Sequence, residues 1–156
     1  MKRLNLIIQI LSFLLGLPKA QVAANRGENF RLKGKYEKAI ECFDKVIQLD
    51  SDNDWAYHNR GLAYHDLGEY QLAIEDFDKS IELDPDDASA YNNRGTTYYR
   101  LGEYQLAIED FDKSIELDPN DAEFYASRTL AYYEIGNTQL IANDSDEVCE
   151  LDESLC

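Results

Sequence analysis

The stretch Leu67–Pro85, LGEYQLAIEDFDKSIELDP, returns without a change at Leu101–Pro119, 34 residues later. Catalytic cores seldom repeat to the letter, whereas stacked units do, because each solves the same packing problem. The period runs in both directions. Gly34, Gly68, Gly102 and Gly136 are spaced by it, as are Arg26, Arg60, Arg94 and Arg128. So are Leu49, Leu83, Leu117 and Leu151, and Asp50, Asp84, Asp118 and Asp152. A fixed period of this length marks a solenoid. Four units follow, at 20–53, 54–87, 88–121 and 122–155.

Within unit two, Tyr57, Gly61 and Tyr64 share one stripe of a first helix, at spacings of four and three. Gly68 stands where a left-handed residue ends that helix. Tyr70, Ala73, Ile74, Phe77 and Ile81 make the apolar stripe of a second helix. Asp84-Pro85 stops it, since the residue before proline avoids the helical region. A helix-interior glycine costs about 1 kcal/mol. Its return at Gly27 and Gly95 implies close approach of the partner helix, with Ala39, Ala73 and Ala107 as the matching small residues. Phe43, Phe77 and Phe111 fill the space between hairpins. The chain is therefore expected to be all-α, a solenoid of antiparallel helix pairs.

The pattern resembles the tetratricopeptide repeat, and the resemblance implies a right-handed superhelical solenoid. Unit two supplies Tyr57, Gly61, Tyr64, Ala73, Phe77 and Pro85; unit three supplies Tyr91, Gly95, Tyr98, Ala107, Phe111 and Pro119. Unit one keeps Gly27, Phe30, Ala39 and Phe43 but has Ala23 and Ser51 for the first aromatic and the proline. Arginine stands before the first-helix glycine, where the family carries an apolar residue. Each arginine is expected to pair with an aspartate such as Asp76 or Asp110 while its stem packs. Unit four has a sound first helix, with Tyr125, Ala131, Tyr132 and Gly136. Its second half loses the signature residues to Thr138, Ile141 and Ser145. Residues 138–155 are read as a polar capping helix, with a frayed tail as the alternative.

Residues 1–19 are unlike the rest. Lys2 and Arg3 precede an apolar run, Leu4–Leu17, ended by Pro18. The run is short for a spanning helix, which needs about 20 apolar residues. A secretory signal peptide is the first expectation, with cleavage after Ala20 or Ala24, and the protein then periplasmic or secreted. The alternatives are a retained apolar helix capping the first unit, or an uncut anchor. An uncut segment would be the chain's one route to a membrane, leaving the protein cytoplasmic or membrane-associated.

Composition narrows the function. With 31 acidic against 15 basic residues and a formal charge of −16, the chain lacks the basic face that nucleic acid requires. The charge suits basic or apolar protein partners. Cys42, Cys149 and Cys156 include no CxxC pair, so a zinc or thioredoxin-like site is not expected. Cys42 takes the place of a repeat aspartate and reads as a packing residue. Cys149 and Cys156 lie two helical turns apart, about 10 Å, too far to bridge unless the tail leaves the helix. His58 and His65 are seven residues apart, whereas helical metal ligands are usually four apart. No cofactor, metal or catalytic residue is assigned, and no enzymatic activity is expected.

Recognition is left. First helices of such a stack line the concave side. There Trp55, His58, Leu62 and His65 share a face, matched by Ser89, Asn92, Thr96 and Tyr99 in unit three. Unit four offers Glu123, Ala126, Leu130 and Tyr133, and unit one Gln21, Ala24, Glu28 and Arg31. Asn59, Asn93 and Arg100 flank this stripe, and Asn25, Asn59 and Asn93 suit peptide backbone. The four sets differ while the packing residues repeat, as a diverged binding groove for a peptide or protein segment would. In relatives that hold chaperone tails, lysines on this face clamp a carboxylate. Ala24 and His58 stand at such places, so the resemblance implies no chaperone-tail clamp here.

Overall fold

The computed structural model describes residues 19–152. The expected N-terminal apolar helix, within 1–19, lies outside them but for Lys19. The described residues form eight helices: α1 (Lys19–Arg31), α2 (Tyr36–Leu49), α3 (Asp54–Leu67), α4 (Tyr70–Leu83), α5 (Ala88–Leu101), α6 (Tyr104–Leu117), α7 (Ala122–Glu134) and α8 (Thr138–Leu151). No strand occurs among them. Each odd helix pairs with the even helix after it, and each even helix packs on the next odd one. Odd helices also touch one another from unit to unit, while successive even helices stand apart. The stack therefore curves with the odd, first helices inside.

The turns are set by local chemistry. Gly34, Gly68, Gly102 and Gly136 all have positive φ, between 64° and 87°. The amide after each glycine bonds the carbonyl five residues back: Glu69 to Tyr64 at 2.9 Å, Glu103 to Tyr98 at 3.0 Å. This is the Schellman arrangement, which satisfies the last carbonyls of the first helix. Asn53, Asp87, Asp121 and Asn137 cap α3, α5, α7 and α8 with their side-chain oxygens. Second helices end at extended Asp50, Asp84, Asp118 and Asp152. Asp50 precedes Ser51 and adopts this conformation without a proline. The Asp50, Asp84 and Asp118 carboxylates each accept from the amide two residues on, which holds the loop.

The core repeats with the sequence. Ala39, Phe43, Ala73, Phe77, Ala107 and Phe111 are fully buried or nearly so. The interior glycines serve a nearer purpose than admitting the partner helix. A Cβ on Gly27, Gly61 or Gly95 would lie 2.7, 2.9 or 2.8 Å from the ring of Phe43, Phe77 or Phe111 of the same unit. The ring itself occupies the glycine's missing volume. Its other side reaches the next unit, where Phe43 packs with Ala63.

The arginines tie the units laterally. Arg60 donates through Nε and Nη2 to Asp76 at 2.7 and 2.6 Å, and through Nη1 to Asp44 of the preceding unit at 2.6 Å. Arg94 joins Asp110 and Asp78 in the same way. Arg128 joins Asp144 and Asp112. Each guanidinium also lies over a first-helix tyrosine, Arg60 5.5 Å from the Tyr57 ring centre. Burial pushes the Asp76 and Asp110 carboxyls above the usual carboxylate range, against the pull of their arginines. Such forked, charge-assisted pairs fix geometry as well as adding energy.

Unit four closes as a helix. Asp144 is buried on α8 and holds Arg128, while Leu140 and Ile141 pack on the Phe111–Tyr132 cluster. Cys42 is a buried free thiol whose pKa burial raises. Cys149 is disulfide-bonded, its partner outside the described residues. The chain leaves the helix after Leu151, with Asp152 extended, which is the condition under which a bridge at Cys149 is expected.

Candidate functional site

Trp55 opens α3 on the inner face. It is 38% exposed, one edge against the Phe43 ring at 5.8 Å between centres. Beside it lies a cleft of about 320 Å³ lined by Ala20, Gln21, Ala24, Val46, Asn53 and Trp55. At the far end of the stack, Leu130 and Tyr133 project from α7 with 55% and 72% of their surface exposed. A second cleft, about 670 Å³, lies at the opposite, N-terminal end of α7, between Asp118, Asp121, Glu123, Ala126, Leu151 and Asp152. Apolar anchors thus stand toward both ends of the inner face.

The middle of that face is built differently. His58 Nδ1 meets Asp87 Oδ2 at 3.0 Å, and Nε2 accepts from Asn93 Nδ2 at 3.1 Å. The hydrogen bond from His58 holds the Asp87 carboxyl below its ordinary range. Asn59 is buried and donates to the Trp55 carbonyl at 2.9 Å. The Thr97 hydroxyl donates to the Asn93 carbonyl, so it accepts from His65 Nδ1 at 2.9 Å. Burial lowers the His65 pKa. His58, His65 and Asn93 therefore join α3 to α5, while the Asn59 amide is spent within α3. Asn92 is buried, and its Oδ1 has no partner among the described residues. Leu62 and Thr96 are half-buried, and Arg100 is exposed. The Tyr99 hydroxyl donates to Glu134 at 3.2 Å.

Three acidic residues of this face escape a reading by identical positions. Asp66 pairs with Arg31 at 3.4 Å, Glu134 receives Tyr99, and Asp87 receives His58. The first two lie 35 residues from their partners, as Asn93 does from His58. An offset of one period plus one is the signal that links neighbouring first helices. Both nitrogens of His58 are occupied, and no cluster of three or more metal-ligating residues exists among the described residues. No described helix is long and apolar enough to cross a membrane.

These features define a curved stack of helical hairpins with one polar, unit-specific inner face. A family model described as TPR repeat matches residues 27–68 and 61–102, and one described as tetratricopeptide repeat matches 88–121. The chain belongs to the tetratricopeptide repeat family. No curated protein matches it in sequence. Among solved structures, a crystal structure of MamA is similar at TM-score 0.82 and 28% identity, over 92% of this chain and 84% of that one. The first TPR of Spaghetti (RPAP3), bound to the HSP90 peptide SRMEEVD, aligns at TM-score 0.73 and 28% identity, covering 76% and 94%. The second TPR domain of human RPAP3, in complex with the HSP70 peptide SGPTIEEVD, aligns at TM-score 0.69 and 32% identity, covering 72% and 94%.

Proposed function

We propose that this protein is a non-catalytic scaffold that holds a peptide or protein segment along its inner face. The observation that carries the reading is the contrast between layers. The phenylalanines that repeat are buried, while the exposed Trp55, Leu130 and Tyr133 stand at first-helix positions whose residues change from unit to unit. Exposed aromatic and aliphatic anchors are what an interface core requires. Two structural neighbours hold peptides, which favours the same use of this fold here.

The chemistry of the partner follows from the charges. The carboxylates of Glu28, Asp66, Asp87, Glu123 and Glu134 stand on or beside the inner face. Ala24 and His58 occupy places where a carboxylate clamp would need lysine. An acidic tail is therefore disfavoured, and a segment with apolar anchors and basic residues fits best. A peptide-array screen followed by titration tests this, with an EEVD-ended peptide as control. Trp55→Ala and Leu130→Glu should each weaken the selected peptide by about tenfold or more while the melting curve holds. Undiminished binding in both variants, or tight binding of the EEVD peptide through its carboxylate, defeats the reading.

Export from the cytoplasm is a second proposal. The basic start and apolar run are the sequence support. An intact-mass measurement on protein from its native host should show the leader removed. A full-length chain found in the cytosolic fraction rules export out.

A further inference from the structure

The lateral ladder of ion pairs has two open ends, and they are complementary. In each interior joint an arginine reaches back to an aspartate sixteen residues earlier, on the preceding unit's second helix: Arg60 to Asp44, Arg94 to Asp78, Arg128 to Asp112. On α1, Arg26 has the same position but makes no ion pair among the described residues. Its own-unit aspartate is replaced by Cys42, and its guanidinium lies 5.3 Å over the Phe30 ring. On α8, Asp146 has the position of Asp44, Asp78 and Asp112. It is exposed and has no hydrogen-bond or ion-pair partner among the described residues.

A second pair matches in the same register. First helices of neighbouring units are linked at an offset of 35, as in Arg31–Asp66 and Tyr99–Glu134. The middle pair of that series, His65 and Arg100, makes no direct bond, and the positions left without a neighbouring unit are Tyr133 at the C-terminal end and Leu32 at the N-terminal end. They are the two most exposed large apolar residues described, at 72% and 77%. Stacking unit one of one copy on unit four of another would bring Leu32 against Tyr133 and Arg26 against Asp146 at once.

We propose that copies of this chain associate head to tail, with unit one of each continuing the repeat from unit four of the last. The contact is heterologous, so it propagates into open filaments or closes into a ring. It is weaker than an interior joint. Ser145 stands where Phe43, Phe77 and Phe111 fill the joint, and exposed Asn29 where Ala63, Thr97 and Ala131 are buried. Association is therefore reversible and salt-sensitive.

Sedimentation equilibrium on the full chain, from micromolar to millimolar, tests the proposal. The average mass should rise above one chain with concentration and fall with added salt. Arg26→Glu and Asp146→Lys should each weaken self-association by about tenfold. Their equimolar mixture should restore it to within about threefold, since each variant then meets an opposite charge, and so should the double variant in one chain. Leu32→Ser should weaken it by a similar factor with the melting curve unchanged. A full chain that remains a monomer overturns the proposal, as does self-association indifferent to both charge reversals. Failure of the mixture and of the double variant to restore it overturns the assigned register.

Discussion

At the scale of single residues, the glycine and the phenylalanine of each unit are one device. Gly27, Gly61 and Gly95 leave the space that Phe43, Phe77 and Phe111 fill. Unit four confirms the coupling by losing both members: Thr129 stands at the glycine position and Ser145 at the phenylalanine position. Alanine at Gly95 would gain about 1 kcal/mol of helix propensity. Its Cβ would sit 2.8 Å from the buried Phe111 ring and 3.1 Å from the Ala107 carbonyl oxygen, and neither has room to retreat. Overpacking of this kind costs about 1–3 kcal/mol, so Gly95→Ala should be a net loss in urea denaturation. Adding Phe111→Leu should recover part of the Gly95→Ala cost, which no propensity effect could do. The spacing of these residues was legible in the sequence. Which atoms take up the vacated volume was not, because that depends on a rotamer.

At the scale of elements, α8 shows how a poor local sequence is held in a helix. Asn143-Asp144-Ser145-Asp146 has weak helix propensity, and the apolar signature of a second helix is missing. Asp144 nevertheless keeps the 34-residue register of Asp76 and Asp110, and its carboxylate grips Arg128 through two hydrogen bonds. Removing one partner of a buried pair costs about 3–5 kcal/mol. Asp112 still contacts Arg128, so Asp144→Ala should fall near the low end, about 3 kcal/mol. Hydrogen exchange should then show α8 amides losing protection while α3–α6 keep theirs. Uniform loss over all eight helices would instead mean that α8 unfolds only with the whole stack. The register of Asp144 was present in the sequence, masked by a composition that reads as a tail.

At the scale of the whole molecule, both histidines sit at one joint, between units two and three. His58 links α3 to the cap of α5 through Asp87, and His65 links α3 to Thr97. Burial lowers the His65 pKa, so the folded chain holds that proton less tightly than the unfolded chain. Its contribution is complete above the ordinary histidine value, about 6.5, and is lost as pH falls through it toward the folded value. The Asp87 contribution, from a depressed pKa, is lost at lower pH, as pH falls through the ordinary carboxylate value toward the lower folded one. The melting temperature should therefore drop between about pH 7.5 and 5.5, and His65→Gln should flatten that drop. An unchanged slope in the variant would mean that the histidine titrates as it does in the unfolded chain.

The sequence by itself determined the period, the helix pairs, their caps and the buried phenylalanines. Each of these rests on interactions within one unit or on a choice repeated in all four. Only the tertiary structure decided which inner-face residues remain available. His58, Asn59 and Asn93 suit a ligand as residue types, yet their polar atoms are taken up within the stack. The bonds of His58 to Asp87 and to Asn93, at 29 and 35 residues, form only once α3 and α5 are laid side by side.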